Sequence, residues 1–171
     1  MLNNIRIAIF VIAVLPLASA ADPIAKLGLE KSGETRLRVF GISIYTASLC
    51  SSDERFASES DHRPLLLSIE YHRNVSKARV MKSTDKEWSR LGRIDDYKRQ
   101  SWLAALNRIL PDVAAGDSLS SLVMAGGETT FYLGDVAIGT VSDPEFGPAF
   151  LAICWIPTVV FQSNDANSWL V

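Results

Sequence analysis

Two arginines stand at the start of an apolar run in the first third of the chain. Arg36 and Arg38 open the segment RLRVFGISIYTASL, which ends at residue 49. A guanidinium beside apolar side chains can bind a carboxylate or a phosphate through two parallel hydrogen bonds. The same two residues can instead lie at an exposed strand end, with their charges in water and paired with Glu30 or Glu34. The first alternative predicts an anion-binding site, and the second predicts a solvated face.

The alternation of side chains predicts that this run is one strand over residues 35–49. Arg36 and Arg38 would share one face with Phe40, Ile42 and Ile44. The opposite face would carry Leu37, Val39, Ser43, Tyr45, Ala47 and Leu49. A strand that is apolar on both faces is typical of the centre of a sheet covered on both sides. The sequence therefore predicts a central strand with two cations at its mouth.

The first twenty residues are typical of a secretory signal peptide. They contain one cation, Arg6, then an apolar run, and they end in the small residues Ala18-Ser19-Ala20. The apolar run is short for a membrane span, which favours cleavage over a retained anchor. We expect a single domain of residues 21–171 in the periplasm or outside the cell. The formal net charge of −2 argues against nucleic-acid binding.

Residues that could hold a metal or a cofactor are sparse. The histidines are His62 and His72, and their spacing matches no common ligand pattern. Dinucleotide and phosphate-loop fingerprints and the serine-nucleophile elbow are absent from the sequence. Cys50 and Cys154 would form a disulfide in an oxidising compartment if they were close, or stay as two buried thiols. We expect neither a metal nor a cofactor, and we leave the disulfide open.

Turn residues and periodicity predict a mixture of strands and helices. The predicted strands are 26–31, 35–49, 65–71, 117–125, 128–133 and 136–141, with the first two joined at Ser32-Gly33 and a polar loop over 51–63. Ser76 would cap a first helix, which ends at Gly92. Asp95 or Asp96 would cap a second helix, which ends at Pro111. Asp143 would cap a third helix, with Pro144 as its first residue. This order predicts an α+β fold, an antiparallel sheet with the helices on one face.

Three ordered segments resemble a known family. They are the run from residue 36 to 49, the strand-to-helix passage from 65 to 91 that includes EWSRLG, and the stretch GGETTFYLGDVAIGTVSDPEF at 126–146. In this order the chain resembles the bacterial chalcone isomerase-like proteins, secreted relatives of the plant enzyme, over about residues 25–153. The resemblance implies an open-faced β-sandwich in which a long sheet and a helical layer enclose an apolar cleft.

The resemblance also implies where isomerase side chains would lie. The family's strand threonine falls at Phe40, its tyrosine at about Ser76, its asparagine at about Ser83 and its last hydroxyl at about Ile153. Its arginine has Arg36 or Arg38 as candidates. Loss of one oxyanion donor typically lowers a rate by about 10²–10³-fold, so the resemblance implies a chain that is not an isomerase.

Some members of this fold bind fatty acids, and the resemblance therefore implies a small apolar carboxylate as the ligand. Arg38, or else Arg36, would bind the head group, and Phe40, Ile42 and Tyr45 would line or support the cleft. Two alternatives stay open. One is an isomerase or lyase acting on a conjugated ketone, with a tyrosine as donor. The other is an envelope interaction protein without a small ligand.

The end of the chain departs from the family. After Ile153 the sequence continues CWIPTVVFQSNDANSWLV without a single Lys or Arg, whereas the resemblance implies a basic, leucine-rich ending. A diverged tail or a shifted reading frame over residues 154–171 would explain the departure. A family-like ending in another frame of the gene would support the frameshift, and close relatives with this same tail would contradict it.

Overall fold

A six-stranded antiparallel sheet and three helices form the protein in a computed structural model that describes residues 27–52 and 64–155. The strands follow one another across the sheet in chain order and are β1 (Glu30–Val39), β2 (Ile42–Ser51), β3 (Leu65–Tyr71), β4 (Ser118–Val123), β5 (Thr129–Leu133) and β6 (Val136–Val141). This architecture confirms the predicted α+β class. The predicted signal peptide, most of the predicted loop 51–63 and residues 156–171 of the tail lie outside the described residues.

The first hairpin differs from its prediction. The turn lies at Phe40-Gly41 and not at Ser32-Gly33, so the predicted strand 35–49 is in fact β1 and β2. Phe40 and Gly41 both have positive φ, 48° and 78°, as a two-residue turn between twisted strands requires. An Asn-Gly or Asp-Gly pair would have signalled this turn, whereas Phe-Gly continues the apolar pattern. The predicted central position is also wrong, because β1 is an edge strand of the sheet.

A bulge in β2 changes the predicted faces. Leu37 pairs with Tyr45, but the next residue, Arg38, pairs with Ser43, so Ile44 has no partner on β1. A bulge redirects the side chains beside it. Ile44 and Tyr45 consequently both pack against the main core, although they are sequence neighbours. The prediction that Ile44 shares a face with the arginines of β1 is therefore wrong.

Two helices connect β3 to β4 and lie where the sequence predicts them. Helix α1 (Lys77–Leu91) begins after Ser76, whose hydroxyl accepts from the Arg79 N–H, and ends at Gly92 with φ 61°. Helix α2 (Asp96–Ile109) is capped by Asp95, whose carboxylate accepts from the Lys98 N–H at 2.9 Å. Side-chain capping satisfies N–H groups that the first helical turn leaves free. No helix within the described ranges is long and apolar enough to cross a membrane.

Helix α3 (Phe146–Trp155) begins later than predicted. Asp143 accepts from the Glu145 N–H at 3.0 Å, but Pro144 and Glu145 form a turn before the helix, so Pro144 is not its first residue. The other oxygen of Asp143 accepts from the indole N–H of Trp102 at 2.9 Å. Burial alone would raise the pKa of Asp143, but these two hydrogen bonds and the nearby Lys98 lower it overall. The carboxylate thus joins α2 to the start of α3.

The main core lies between the sheet and the helices. Its centre is an aromatic cluster, defined here as Trp88, Trp102, Phe131, Phe146 and Phe150, with neighbouring rings 5.3 to 6.0 Å apart. The apolar periodicity of the helices predicts the faces that supply four of these rings, whereas Phe131 comes from β5. Cys154 packs against this core and Cys50 against a smaller cluster that includes Leu66, and both thiols are free.

Ser121 provides a stability test of the core. Its hydroxyl is the only buried side-chain oxygen or nitrogen within the described residues that has no hydrogen-bond partner. Because an unsatisfied buried polar group costs about 1–3 kcal/mol, Ser121→Ala should raise the free energy of unfolding by about 1 kcal/mol. Urea denaturation of the two proteins measures the difference. Ser120→Ala is the matched control, because Ser120 donates to Ser68 at 3.0 Å and its loss should destabilise. A destabilised Ser121→Ala variant would contradict the prediction.

Candidate functional site

A cavity of about 370 Å³ opens between the first hairpin, β3 and the helices. This volume falls within the range of small-molecule sites, about 300–1,000 Å³. Its wall comes from six parts of the chain, namely the tip of the β1–β2 hairpin, β2, β3, the segment after β3, α1 and the end of α3. The lining residues are Val39, Phe40, Ile42, Ile44, Tyr45, Ile69, Tyr71, Arg73, Asn74, Val75, Arg79, Val80, Ser83, Thr84, Glu87, Ile153 and Cys154.

The inner wall of the cavity is largely apolar, and local structure explains why. The bulge brings Ile44 to the wall beside Tyr45, and the alternation of β3 places Ile69 and Tyr71 there. On α1, Val80 and Thr84 are four residues apart and therefore lie on one face of the helix. An apolar chain could pack against these side chains.

Burial raises the pKa of three titratable side chains in the wall. Burial raises the pKa of Tyr45 and of Tyr71 well above the ordinary value of 10.0, and it raises the pKa of the Cys154 thiol to about 12. The two tyrosine rings meet edge to face with centroids 6.0 Å apart. Among the described residues, neither phenol oxygen has a hydrogen-bond partner. Each phenol can therefore donate a hydrogen bond to a molecule in the cavity.

The mouth of the cavity carries two cations. Arg73 follows β3 and Arg79 lies in the first turn of α1, and both are exposed. Within the described part of the chain, neither guanidinium forms an ion pair. The acid that also lines the cavity, Glu87, already accepts from Arg90 at 2.8 Å. The mouth can consequently offer a guanidinium to an anion while the interior accepts an apolar group.

The residues predicted as ligand contacts are divided between two places. Phe40 and Tyr45 line the cavity, whereas Arg36 and Arg38 are exposed and are not among its lining residues. Arg36 donates instead to the Thr46 hydroxyl at 3.2 Å, on the sheet face away from the helices. Their exposure agrees with the alternative of a solvated strand end, although it is Lys31 and not an arginine that forms the ion pair with Glu34. A ligand role for these four residues stays a prediction.

The positions implied by the family resemblance converge on this cavity. Phe40, Ser83 and Ile153 all line it, and Ser76 lies beside it as the cap of α1. Two of these side chains are apolar, and the Ser83 hydroxyl donates to the Arg79 carbonyl of its own helix at 2.9 Å. Three of the four positions that the resemblance assigns to isomerase side chains therefore line one cavity, but none of the three has a side chain free to donate a hydrogen bond into it.

Arg73 and Arg79 were missed by the sequence reasoning. They lie outside any apolar run, and the signal that could have identified them is charge. Residues 71–84 contain four Lys or Arg and no Asp or Glu. Such a segment at the junction of a strand and a helix N-terminus is a reasonable place for anion binding.

Comparison with known proteins places the fold. No family model matches the chain. An uncharacterised protein of Haemophilus influenzae is 27% identical over 118 residues, which are 69% of this chain and 56% of that protein, so the match spans only about half of the relative's length. A fatty-acid binding protein of Arabidopsis thaliana superposes with a TM-score of 0.59 at 11% identity, over 84% of this chain and 87% of that one. The fold is of the chalcone isomerase type. At this identity the likeness concerns the fold alone.

Alkaline titration tests the closed environment of the two wall tyrosines. Because burial raises the pKa of Tyr45 and Tyr71, both phenols should stay protonated at pH about 10–11, where an unburied tyrosine ionises. Tyr45→Phe and Tyr71→Phe should therefore leave the ultraviolet absorbance change between neutral pH and pH about 11 unaltered. In denaturant, where all four tyrosines ionise, each variant should lose one quarter of the absorbance change of the wild type. A loss of one quarter in the folded protein would contradict the burial of that tyrosine.

Proposed function

We propose that this chain is a non-catalytic binding protein for a small amphipathic carboxylate, such as a fatty acid. The apolar tail occupies the cavity between the sheet and the helices, and the carboxylate lies at the mouth. The observation that carries the proposal is the combination of an apolar interior with two exposed, unpaired guanidinium groups, Arg73 and Arg79, at its opening. A carboxylate with an apolar tail matches both parts of this site.

In this proposal the carboxylate binds Arg73 and Arg79 at the mouth, and not Arg36 or Arg38. Arg36 and Arg38 are not among the residues that line the cavity, whereas Arg73 and Arg79 are. Arg79 is also in the first turn of α1, where the N-terminal end of the helix dipole favours a negative charge. A carboxylate at this point gains from both the guanidinium and the helix end.

The side chains of the cavity support binding over catalysis. An isomerase needs hydrogen-bond donors aimed at the oxygen where negative charge develops. Phe40 and Ile153 offer none, and the Ser83 hydroxyl is engaged within α1. The Tyr45 and Tyr71 phenols remain as donors, and they suit a neutral oxygen of a bound ligand. The named activity of the structural neighbour, fatty-acid binding, agrees with this proposal.

We also propose that the protein is exported from the cytoplasm. The proposal rests on residues 1–20, which combine a cation, an apolar run and an Ala-Ser-Ala ending. Amino-terminal sequencing of the protein recovered from its native cell tests it. A mature chain that begins at Ala21 is the expected result, and an intact Met1 would contradict export by cleavage.

Paired ligands test the binding site. Delipidated protein should retain palmitate in native mass spectrometry and should bind hexadecanol, which has the same tail without the carboxylate, more weakly. Arg73→Gln combined with Arg79→Gln should reduce palmitate affinity about tenfold, because hydrogen bonds to a charged group contribute about 1.5–3 kcal/mol before solvent screening. Hexadecanol affinity should change little. Val80→Trp, which fills the cavity from α1, should abolish binding of both molecules.

Two exposed cations outside the cavity provide the matched control. Lys86→Gln combined with Arg93→Gln removes the same charge from residues that do not line the cavity, and palmitate affinity should stay at the wild-type value. Thermal unfolding of each variant establishes that it is folded. Failure of the wild type to bind either molecule would overturn the proposed ligand. Conversion of a chalcone to a flavanone above the spontaneous rate would overturn the proposal that the protein is not a catalyst.

A further inference from the structure

The tip of the first hairpin exposes two large apolar side chains at the rim of the cavity. Phe40 is 61% exposed and Ile42 is 48% exposed, and both also line the cavity. They flank Gly41 at the end of a two-stranded extension of the sheet edge. Exposed large apolar residues are unremarkable when they are scattered singly, but a pair at a cavity opening indicates an interaction surface.

The backbone of Phe40 shows that the fold itself does not favour an aromatic residue there. Its φ of 48° makes it the only residue other than glycine with positive φ in the described ranges. Asn and Gly tolerate this conformation better than a bulky side chain does. Because most of the ring is exposed, packing inside the protein offsets little of this conformational cost.

The surroundings of this tip are basic. The charged side chains that line the cavity are Arg73, Arg79 and Glu87, and Glu87 accepts a hydrogen bond from Arg90. Arg73 and Arg79 are exposed, and neither forms an ion pair within the described part of the chain. The mouth thus combines protruding apolar side chains with unneutralised positive charge, on a chain whose net charge is −2.

We propose that the cavity mouth docks on the surface of an anionic lipid bilayer, with Phe40 and Ile42 inserted among the head groups and Arg73 and Arg79 on lipid phosphates. Exposed apolar side chains beside unpaired cations are typical of a protein that lies on a membrane, because burial at the acyl boundary and attraction to anionic lipid add together. A protein partner that matched this surface would need an acidic surface beside an apolar recess. An anionic bilayer provides negative charge and an apolar interior at every point of its surface.

Docking in this orientation would place the cavity opening against the lipid. A carboxylate with an apolar tail could then pass between the bilayer and the cavity without crossing water. This consequence rests on the proposed function, but docking itself does not, because the apolar tip and the positive charge are present without any ligand.

Sedimentation with vesicles tests the docking. Ligand-free protein should bind vesicles of equal parts phosphatidylglycerol and phosphatidylcholine, and should bind pure phosphatidylcholine at least about tenfold more weakly. High salt should reduce binding to the mixed vesicles, since screening weakens attraction between exposed charges. Free inorganic phosphate that abolished vesicle binding at constant ionic strength would point to a simple phosphate site and would overturn the bilayer proposal.

Phe40→Asn separates the proposal from a structural role of the tip. Asn suits a positive φ, so the variant should unfold at the same or a higher temperature than the wild type. Its partition onto mixed vesicles should nevertheless fall about tenfold or more, because an inserted aromatic ring is lost. Tyr97→Asn is the matched control. It removes another exposed aromatic ring, 87% exposed on α2 and not among the cavity-lining residues, and should leave vesicle binding unchanged.

The outcomes distinguish this inference from the proposed function. Palmitate binding is measured without a lipid surface, and vesicle binding is measured on protein without a ligand, so each proposal can fail while the other holds. Wild-type protein that binds palmitate but no anionic vesicle would overturn the docking. Equal loss of vesicle binding in Phe40→Asn and Tyr97→Asn would also overturn it, because the contact would then not be centred on the hairpin.

Discussion

The aromatic cluster around Phe146 is the contact on which the arrangement of the layers depends. Phe146 is fully buried and touches Trp88 of α1, Trp102 of α2 and Phe131 of β5, with ring centroids 5.5 to 6.0 Å away. Edge-to-face contacts of this kind add directional preference to the burial of large apolar areas. The indole N–H of Trp88 also donates to the Ala149 carbonyl at 3.0 Å. One ring thus fixes three helices and the sheet relative to one another.

The cavity follows from the change in side-chain size along α1. Val80, Thr84 and Trp88 lie on one face of this helix, four residues apart. Trp88 reaches the aromatic cluster and fills the space above the sheet, whereas Val80 and Thr84 are too short to do so. The same face of one helix therefore closes the core at one end and leaves a binding space at the other. The hairpin tip borders the open end, which joins the proposed ligand site to the proposed membrane surface.

Local signals in the sequence account for much of the fold. Ser76 and Gly92 bound α1 because capping and a left-handed helix end are chemical properties of short segments. The bounds of β3 could be predicted in the same way, because the alternation of side chains from residue 65 to 71 is also a property of a short segment. The first hairpin could not be found in this way, because Phe40 at its turn has the polarity of a strand residue and a backbone conformation that its type does not favour. Because this turn was missed, the sequence predicted one central strand where the sheet has an edge strand and its neighbour.

The sequence by itself determined the order of the elements, the α+β class and the apolar faces of the helices, because these depend on periodicity and on caps within a few residues. Only the tertiary structure decided which cations lie at the cavity. Arg36 and Arg79 are equally plausible anion receptors as side chains, but the turn at Phe40-Gly41 and the bulge at Ile44 send the first away from the cavity, and the docking of α1 brings the second to its mouth. Such placement depends on the register of distant strands, which no local pattern encodes.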